Sequence, residues 1–255
     1  MIRRAVLSGS GAAIVVALAV LGLDMAPPAV GSAPGYYGVP TAATPSGSSA
    51  TPFIEPEGCW EPPDDYTRVW VNGEVVNART LAMLDHAQAD YQAQGGVINF
   101  RLAITQGSYG GDALVASFGT HDGGGAVDLS VRSRVDWSVL AGEIEPMVHA
   151  LRVAGFAAWL RDTGELYPDS PVHIHAVAVG DAELSEAARA QIDGTFGYLR
   201  GFDGLPQING VPRPDRQGGP VICRWMVVRG FADMRGWPNP YPTPGGTTVP
   251  QEPMP

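Results

Sequence analysis

The chain has 255 residues, and 45% of them are hydrophobic, which is enough for a sizeable core in one ordinary domain or two small ones. Its formal net charge is -10, and all 16 basic residues are arginine. An acidic chain without clustered basic residues is not expected to bind nucleic acid. The absence of lysine from the sequence excludes Schiff-base chemistry and a lysine general base.

The N-terminus has the pattern of an export signal. Arg3 and Arg4 precede the apolar run AAIVVALAVLGL (12–23), and small residues follow near Ala29. This pattern predicts a signal peptide over residues 1–31, because a membrane span needs about 20 apolar residues. An uncleaved anchor is the alternative, since Asp24 and prolines follow the run. Membrane contact is expected only through this segment, and the rest of the chain is expected to be secreted or associated with the cell wall.

The chain contains two cysteines, Cys59 and Cys223. In an oxidising compartment their default state is one disulfide, which here would join the start of the folded region to its end. A cysteine nucleophile is the alternative interpretation. Two cysteines this far apart cannot form a zinc knuckle.

Composition divides the remainder of the chain into three parts. Residues 32–57 are rich in Pro, Ser, Gly and Ala, which is typical of a flexible linker. Residues 238–255 form a second proline-rich segment, predicted to be a disordered tail. The folded domain is therefore predicted to cover residues 58–237.

The first half of this domain carries both helical and strand patterns. A helix is predicted over residues 78–94, with Asn77 as its N-cap and Gly95 just past its end. The apolar run VINFRLAI (97–104) predicts a strand, and the alternating segment GAVDLSVR (125–132) predicts another.

The second half continues the alternation. A helix is predicted over 136–154, capped by Asp136, with a break or kink at Pro146. The segments FAAWLR (156–161) and VHIHAVAV (172–179) predict strands. A further helix is predicted to begin at Ser185 and to carry apolar side chains at three positions, Ile192, Phe196 and Leu199. These elements indicate an α+β fold with helices packed on one face of an antiparallel-rich sheet.

Two short segments hold three of the five histidines. THDGGGAVDL (120–129) contains His121 and Asp128, and VHIHAVAV places His173 and His175 on one face of a strand, because alternate strand residues point the same way. His121, Asp128 and one histidine of the H-x-H pair make two imidazoles and one carboxylate, a ligand set that suits zinc and leaves a fourth position open for water. A nearby carboxylate could then act as general base.

The general base is left open between two acidic residues, Asp169 and Glu165, that precede the H-x-H pair. The other two histidines, His86 and His149, lie in helical patterns and are expected to be ordinary surface or cap residues.

The motif residues resemble a known family. The pattern H-x-x-G-x-A-x-D is followed by an acidic residue and H-x-H, as in the M15-type zinc D,D-peptidases, which share their fold with the hedgehog signalling domain. The resemblance covers about residues 97–200 and implies this hedgehog/DD-peptidase-like fold. It also implies that zinc is bound by His121, Asp128 and His175, that Asp169 is the general base and that His173 supports the transition state.

Three positions depart from the family pattern. The base is usually glutamate, whereas this chain has Asp169, and Gly119 stands where the family often has serine. The segment TQGSYGG (105–111) lacks the arginine with which many members hold substrate. The polar residues of this segment that remain as candidate substrate contacts are Gln106, Ser108 and Tyr109, and the candidate replacements for the arginine are Arg101 and Arg132.

The sequence is therefore consistent with two alternative functions, one enzymatic and one not. The first is an exported zinc metallopeptidase that hydrolyses peptidoglycan stem peptides, as a D,D-carboxypeptidase or an endopeptidase. The second is a zinc-binding domain on the same fold that does not hydrolyse peptides and serves cell-wall or partner recognition. The departures from the family pattern favour the second.

Overall fold

The computed structural model describes residues 53–110, 118–207 and 209–238. These residues form an α+β structure with antiparallel strands, as the sequence predicted. The predicted signal peptide (1–31), most of the linker (32–57) and almost all of the tail (238–255) lie outside the described residues. Within the described part of the chain, no helix has the length and apolarity that a membrane span needs.

The described domain begins with a β-hairpin that the sequence analysis missed. Strands β1 (Arg68–Val71) and β2 (Glu74–Asn77) pair antiparallel. They are joined by Asn72 and Gly73, whose φ angles of 51° and 87° are typical of a type I′ turn. The Asn-Gly dipeptide between two apolar segments is a strong hairpin signal and could have predicted the turn from the sequence.

Helix α1 (Ala78–Ala93) follows directly and matches its prediction. The side chain of Asn77 accepts a hydrogen bond from the backbone N–H of Thr80 and so caps the helix. Gly95 follows the helix with a φ of 92°, as expected for a residue that ends a helix.

The predicted strand over residues 97–104 is wrong for most of its length. Residues Phe100–Ala103 form a short helix, α2, because the side chain of Asn99 accepts from the N–H of Leu102 and starts a helical turn. The strand itself, β3 (Ile104–Gln106), begins where this turn ends. Periodicity alone does not separate a short buried helix from a strand.

The four-stranded sheet has the order β3-β4-β6-β5, and its neighbouring strands are all antiparallel. The other three strands of this sheet are β4 (Ala126–Ser130), β5 (Phe156–Arg161) and β6 (His173–Ala178), of which β5 lies at an edge. The predictions of strands over 125–132, 156–161 and 172–179 are therefore confirmed.

Helix α3 (Ala141–Val153) begins later than predicted. Asp136 does not cap it, because its side chain instead accepts from the backbone and hydroxyl of Ser138 within a preceding turn, and the N-cap is Leu140. Pro146 lies inside the helix, which runs on across it. A proline in the second turn removes only one intrahelical donor.

Helix α4 (Glu186–Asp193) is capped by the side chain of Ser185, as predicted. It is shorter than predicted, because the chain leaves the helix after Asp193 and forms a separate 3-10 turn at Tyr198–Arg200. Helix α5 (Arg224–Val228) was not predicted.

Apolar side chains cover both faces of the sheet. The larger core lies between one face and helices α1 and α3, and a smaller core lies on the other face with α4, the 3-10 turn and α5. The prediction of helices on one face was therefore incomplete. Strand β6 is buried at every position, which is typical of a strand covered on both sides.

The predicted disulfide between Cys59 and Cys223 is confirmed. It joins the start of the described domain to the residue that precedes α5, across a sequence separation of 164 residues. A disulfide is consistent with an extracytoplasmic protein.

A buried ion pair ties α3 to the segment that follows the 3-10 turn. The guanidinium of Arg152 contacts the carboxylate of Asp215 at 2.7 Å, and both side chains are almost fully buried. The same guanidinium donates to three backbone carbonyls, those of Ala158, Gln217 and Gly219. Its five donors therefore connect α3 to β5 and to residues 215–219.

Replacing Arg152 with methionine is expected to lower the free energy of unfolding by about 3–5 kcal/mol, because it leaves Asp215 buried without a cation. Urea unfolding would measure the change. The control is Arg101→Met, which breaks the exposed pair with Asp85 and is expected to cost less than about 1 kcal/mol. Equal losses in the two variants would contradict the role given to Arg152.

Candidate metal centre

The pairing of the strands brings together residues that are distant in the sequence. On one face of the sheet, Asp128 of β4, His175 of β6 and Trp159 of β5 lie in one cross-strand row. His121 reaches the same place from the loop before β4. His121, Asp128 and His175 each offer one ligand atom, and these three atoms lie within 4.8 Å of one another. The group could therefore hold a metal ion.

The glycines between His121 and Asp128 let this loop pack closely on its surroundings. A Cβ atom on Gly123 would lie 2.3 Å from the backbone oxygen of Glu183. Gly125 has a φ of 78°, a conformation that side chains resist. The loop is further fixed by the N–H of Gly124, which donates to the same oxygen of Glu183 at 2.7 Å. The glycines therefore place both candidate ligands at the sheet face.

The protein fixes the orientation of both imidazole rings. Nδ1 of His121 lies 2.7 Å from the carbonyl oxygen of Gly107, and Nε2 of His175 lies 2.8 Å from Oε1 of Gln191. Each oxygen accepts as it is placed, so each of these nitrogens can donate a hydrogen bond to it. In a neutral ring the other nitrogen then carries a lone pair, which is the state that a metal requires.

The two remaining nitrogens both face Asp128. Nδ1 of His175 lies 2.7 Å from its Oδ1, and Nε2 of His121 lies 3.3 Å from the same oxygen. Lone pairs directed at a carboxylate repel it, so the arrangement requires a positive charge, either a proton or a metal ion. Two imidazoles and a carboxylate form a ligand set found in zinc sites. The residues therefore fit a divalent metal.

The local electrostatics agree with this interpretation. Burial disfavours the charge of Asp128, but the rings of His121 and His175 hold the pKa of its carboxyl well below the usual value. Burial lowers the pKa of His175, which keeps this ring neutral at pH 7. Burial also opposes a charge on His121, yet the neighbouring carboxylate raises its pKa above the usual value. A cation is thus favoured between His121 and Asp128.

All three candidate ligands line a cavity of about 420 Å³ on this face of the sheet. Gln106, Arg132, Arg161 and His173 also line it. The metal group is therefore accessible from one side, and a catalytic metal site keeps such an open position.

His173 lies next to the metal group at the cavity wall. Its Nδ1 is 2.8 Å from the carbonyl oxygen of Pro171, and its buried Nε2 has no hydrogen-bond partner within the described residues. Nε2 is 3.6 Å from Oδ2 of Asp128. The carbonyl oxygen of Pro171 accepts a hydrogen bond from Nδ1–H. His173 can therefore donate a second hydrogen bond from Nε2 only when both ring nitrogens carry a proton.

The two candidate general bases lie elsewhere. Asp169 is exposed, has a φ of 66° and is not among the described residues that line the cavity. Glu165 accepts from Arg213 at 2.8 Å and also lies outside the cavity lining. The role of either residue as a base stays a prediction.

Of the three candidate substrate residues, one belongs to the described cavity wall and two do not. Gln106 is half-buried and lines the cavity. Ser108 is buried and donates to the carbonyl oxygen of Ala126 at 2.8 Å. The hydroxyl of Tyr109 is hydrogen-bonded to Glu183, and burial together with this carboxylate raises its pKa to about 12. Neither Ser108 nor Tyr109 is among the described residues of the cavity wall.

Of the two arginines proposed as replacements, Arg101 is paired with Asp85 outside the cavity. Arg132 lines the cavity and donates to the carbonyl oxygen of Trp137 at 2.9 Å. Sequence reasoning missed Arg161 and Gln191. The only signal for Arg161 was its position at the end of the strand FAAWLR, two residues after Trp159, and no sequence pattern marks Gln191.

Comparisons of this chain with models of known protein families, with curated proteins and with solved structures find no match. The resemblance to the M15-type peptidases therefore rests on its motif residues.

Proposed function

We propose that this protein is an exported zinc metallopeptidase that hydrolyses peptidoglycan stem peptides as a D,D-carboxypeptidase or an endopeptidase. The observation that carries the proposal is the convergence of His121, Asp128 and His175 at the wall of a cavity. The substrate class comes from the motif resemblance to M15-type peptidases. Export is inferred from the N-terminal segment and is supported by the disulfide.

Zinc is the metal that this ligand set and its open position suit best. When bound, zinc supplies the Lewis acidity that polarises a carbonyl group and lowers the pKa of water toward 7. Residues of the chain would transfer the protons and stabilise the negative charge that develops on the carbonyl oxygen. By resemblance, Asp169 takes the proton of the attacking water and returns it to the leaving amine, with Glu165 as the alternative. His173, when doubly protonated, would donate from Nε2 to the developing oxyanion.

A zinc-binding domain without hydrolytic activity is the second candidate function. The observation that favours it is the position of the two predicted bases, because Asp169 is exposed outside the described cavity wall and Glu165 is paired with Arg213. Such a domain would use the same cavity to recognise cell-wall peptides or a protein partner.

The oxidised chain with one equivalent of zinc should be incubated with stem peptides that end in D-Ala-D-Ala and with cross-linked muropeptides. Mass spectrometry is expected to detect cleavage that a chelator stops. General bases typically contribute about 100-fold or more to the rate, so one of Asp169→Asn and Glu165→Gln should lose at least that factor. His149→Ala is the control with unchanged rate. Zinc binding without cleavage of any peptide would support the second function instead.

A further inference from the structure

Arg161 is a buried cation beside the candidate metal centre. It ends β5 and is paired in register with His173, and this row of the sheet lies next to the row that contains Asp128 and His175. Its side chain points to the same face of the sheet, because it lies two residues after Trp159. Arg161 is 2% exposed and lines the cavity.

Within the described residues, the guanidinium of Arg161 makes neither a hydrogen bond nor an ion pair, and its Nη2 is buried without a partner. Its Cζ atom lies 5.2 Å from the centroid of the Trp159 ring. Three carboxylates interact with it electrostatically, those of Glu165, Asp203 and Asp128. Asp203 and Glu165 accept from Arg213 at 2.6 and 2.8 Å, and Asp128 faces the imidazoles of the candidate centre. A buried charge that lacks a partner is costly, so this position calls for an anion.

Other buried arginines of the described domain have protein acceptors, although Nε of Arg79 is buried without one. Arg152 is paired with Asp215, and Arg79 donates to Asp64 and to backbone carbonyls. Arg161 differs from them, because its guanidinium makes neither a hydrogen bond nor an ion pair within the described residues and its side chain lines the cavity. Guanidinium groups bind carboxylates through two parallel hydrogen bonds.

We propose that Arg161 binds the free C-terminal carboxylate of a peptide ligand, which makes the cavity selective for chain ends. This inference rests on the proposed function and deepens it, since it favours a carboxypeptidase over an endopeptidase. The Cζ atom of Arg161 lies 5.2 Å from the ring of Trp159, which shares a cross-strand row with His175. Because one peptide residue spans about 3.5 Å, a carboxylate bound at Arg161 would place the preceding peptide carbonyl near the candidate ligands.

The test measures binding to the chain after metal removal, so that no substrate is consumed. Calorimetry would compare N-acetyl-D-Ala-D-Ala with the same dipeptide as its C-terminal amide. The wild-type chain is expected to bind the carboxylate about tenfold more tightly or better, which is the range for hydrogen bonds to charged groups. Equal affinity for the two ligands would overturn the inference, and this comparison depends on no variant.

Variants then assign the preference to a residue. Arg161→Gln is expected to remove it, and Arg161→Lys to keep part of it, because lysine retains the charge but not the paired donors. Arg134→Gln is the matched control, since Arg134 donates to the carbonyl oxygen of Leu102 at 2.8 Å and is not among the described residues that line this cavity, and it should keep the preference. Thermal unfolding of Arg161→Gln should show no loss of stability, because the substitution removes an unpaired buried charge. An unchanged preference in Arg161→Gln would overturn the inference.

Different experimental results would contradict the role of Arg161 and the proposed peptidase function. Hydrolysis of amidated and carboxylated peptides at equal rates would disprove the role of Arg161 and leave the peptidase standing. A carboxylate preference without hydrolysis of any peptide would support Arg161 and disprove the peptidase.

Discussion

Replacing His175 with alanine is expected to weaken zinc binding by more than about 100-fold. The residue supplies one of the candidate ligand atoms. Removing only the hydrogen-bond partner of a ligand typically costs about 10- to 100-fold in metal affinity, so the loss of the ligand itself should cost more. Gln191→Leu, which removes only the acceptor at Nε2 of His175, should therefore lose about 10- to 100-fold. Competition with a chromophoric chelator measures both affinities.

His86→Ala is the matched control for this series. Its ring contacts the carbonyl oxygen of Gly58 and the ring of Trp60, far along the chain from the candidate centre. Its zinc affinity should equal that of the wild-type chain. A weakened affinity in His86→Ala, or an unchanged affinity in His175→Ala, would show that zinc binds elsewhere.

Removing the disulfide is expected to have the largest effect on stability. Replacement of both Cys59 and Cys223 with alanine should lower the free energy of unfolding by about 4–5 kcal/mol, because the bond closes a very long loop in the unfolded chain. The midpoint of thermal unfolding should fall by roughly 10–20 °C for a domain of this size. Calorimetry of the variant and of the wild-type chain measures the difference.

Reduction of the wild-type chain is the control for side effects of the substitutions. It should reproduce most of the loss, because it breaks the same bond and leaves the two side chains in place. An unfolding midpoint that reduction does not change would contradict the structural role of the bond. Migration of the oxidised chain as a disulfide-linked dimer would contradict the pairing itself.

The parts of the fold that follow from local patterns could be predicted from the sequence. The cap of α1 depends on Asn77, and strands β5 and β6 are uninterrupted apolar segments. The grouping of His121, Asp128 and His175 was predictable because the two motifs together, rather than either one alone, resemble a family in which these positions bind zinc. The disulfide was predictable because a chain with an N-terminal export pattern and two cysteines leaves one pairing.

The remainder depends on contacts that a local pattern does not record. The short apolar run at 97–104 fits a strand, yet Asn99 caps a helical turn there. The orientation of His175 depends on Gln191, a residue of another element that the fold brings near. The absence of partners for Arg161 is a property of the packed structure, because it depends on Arg213 engaging the neighbouring carboxylates.

The most direct test of the metal centre is an anomalous difference map from zinc-containing crystals of the oxidised chain, measured on both sides of the zinc absorption edge. The proposed centre predicts one peak that is shared by Nε2 of His121, a carboxylate oxygen of Asp128 and Nδ1 of His175. A peak at His86 or His149, or no peak at a zinc concentration that saturates the chain in solution, would contradict it.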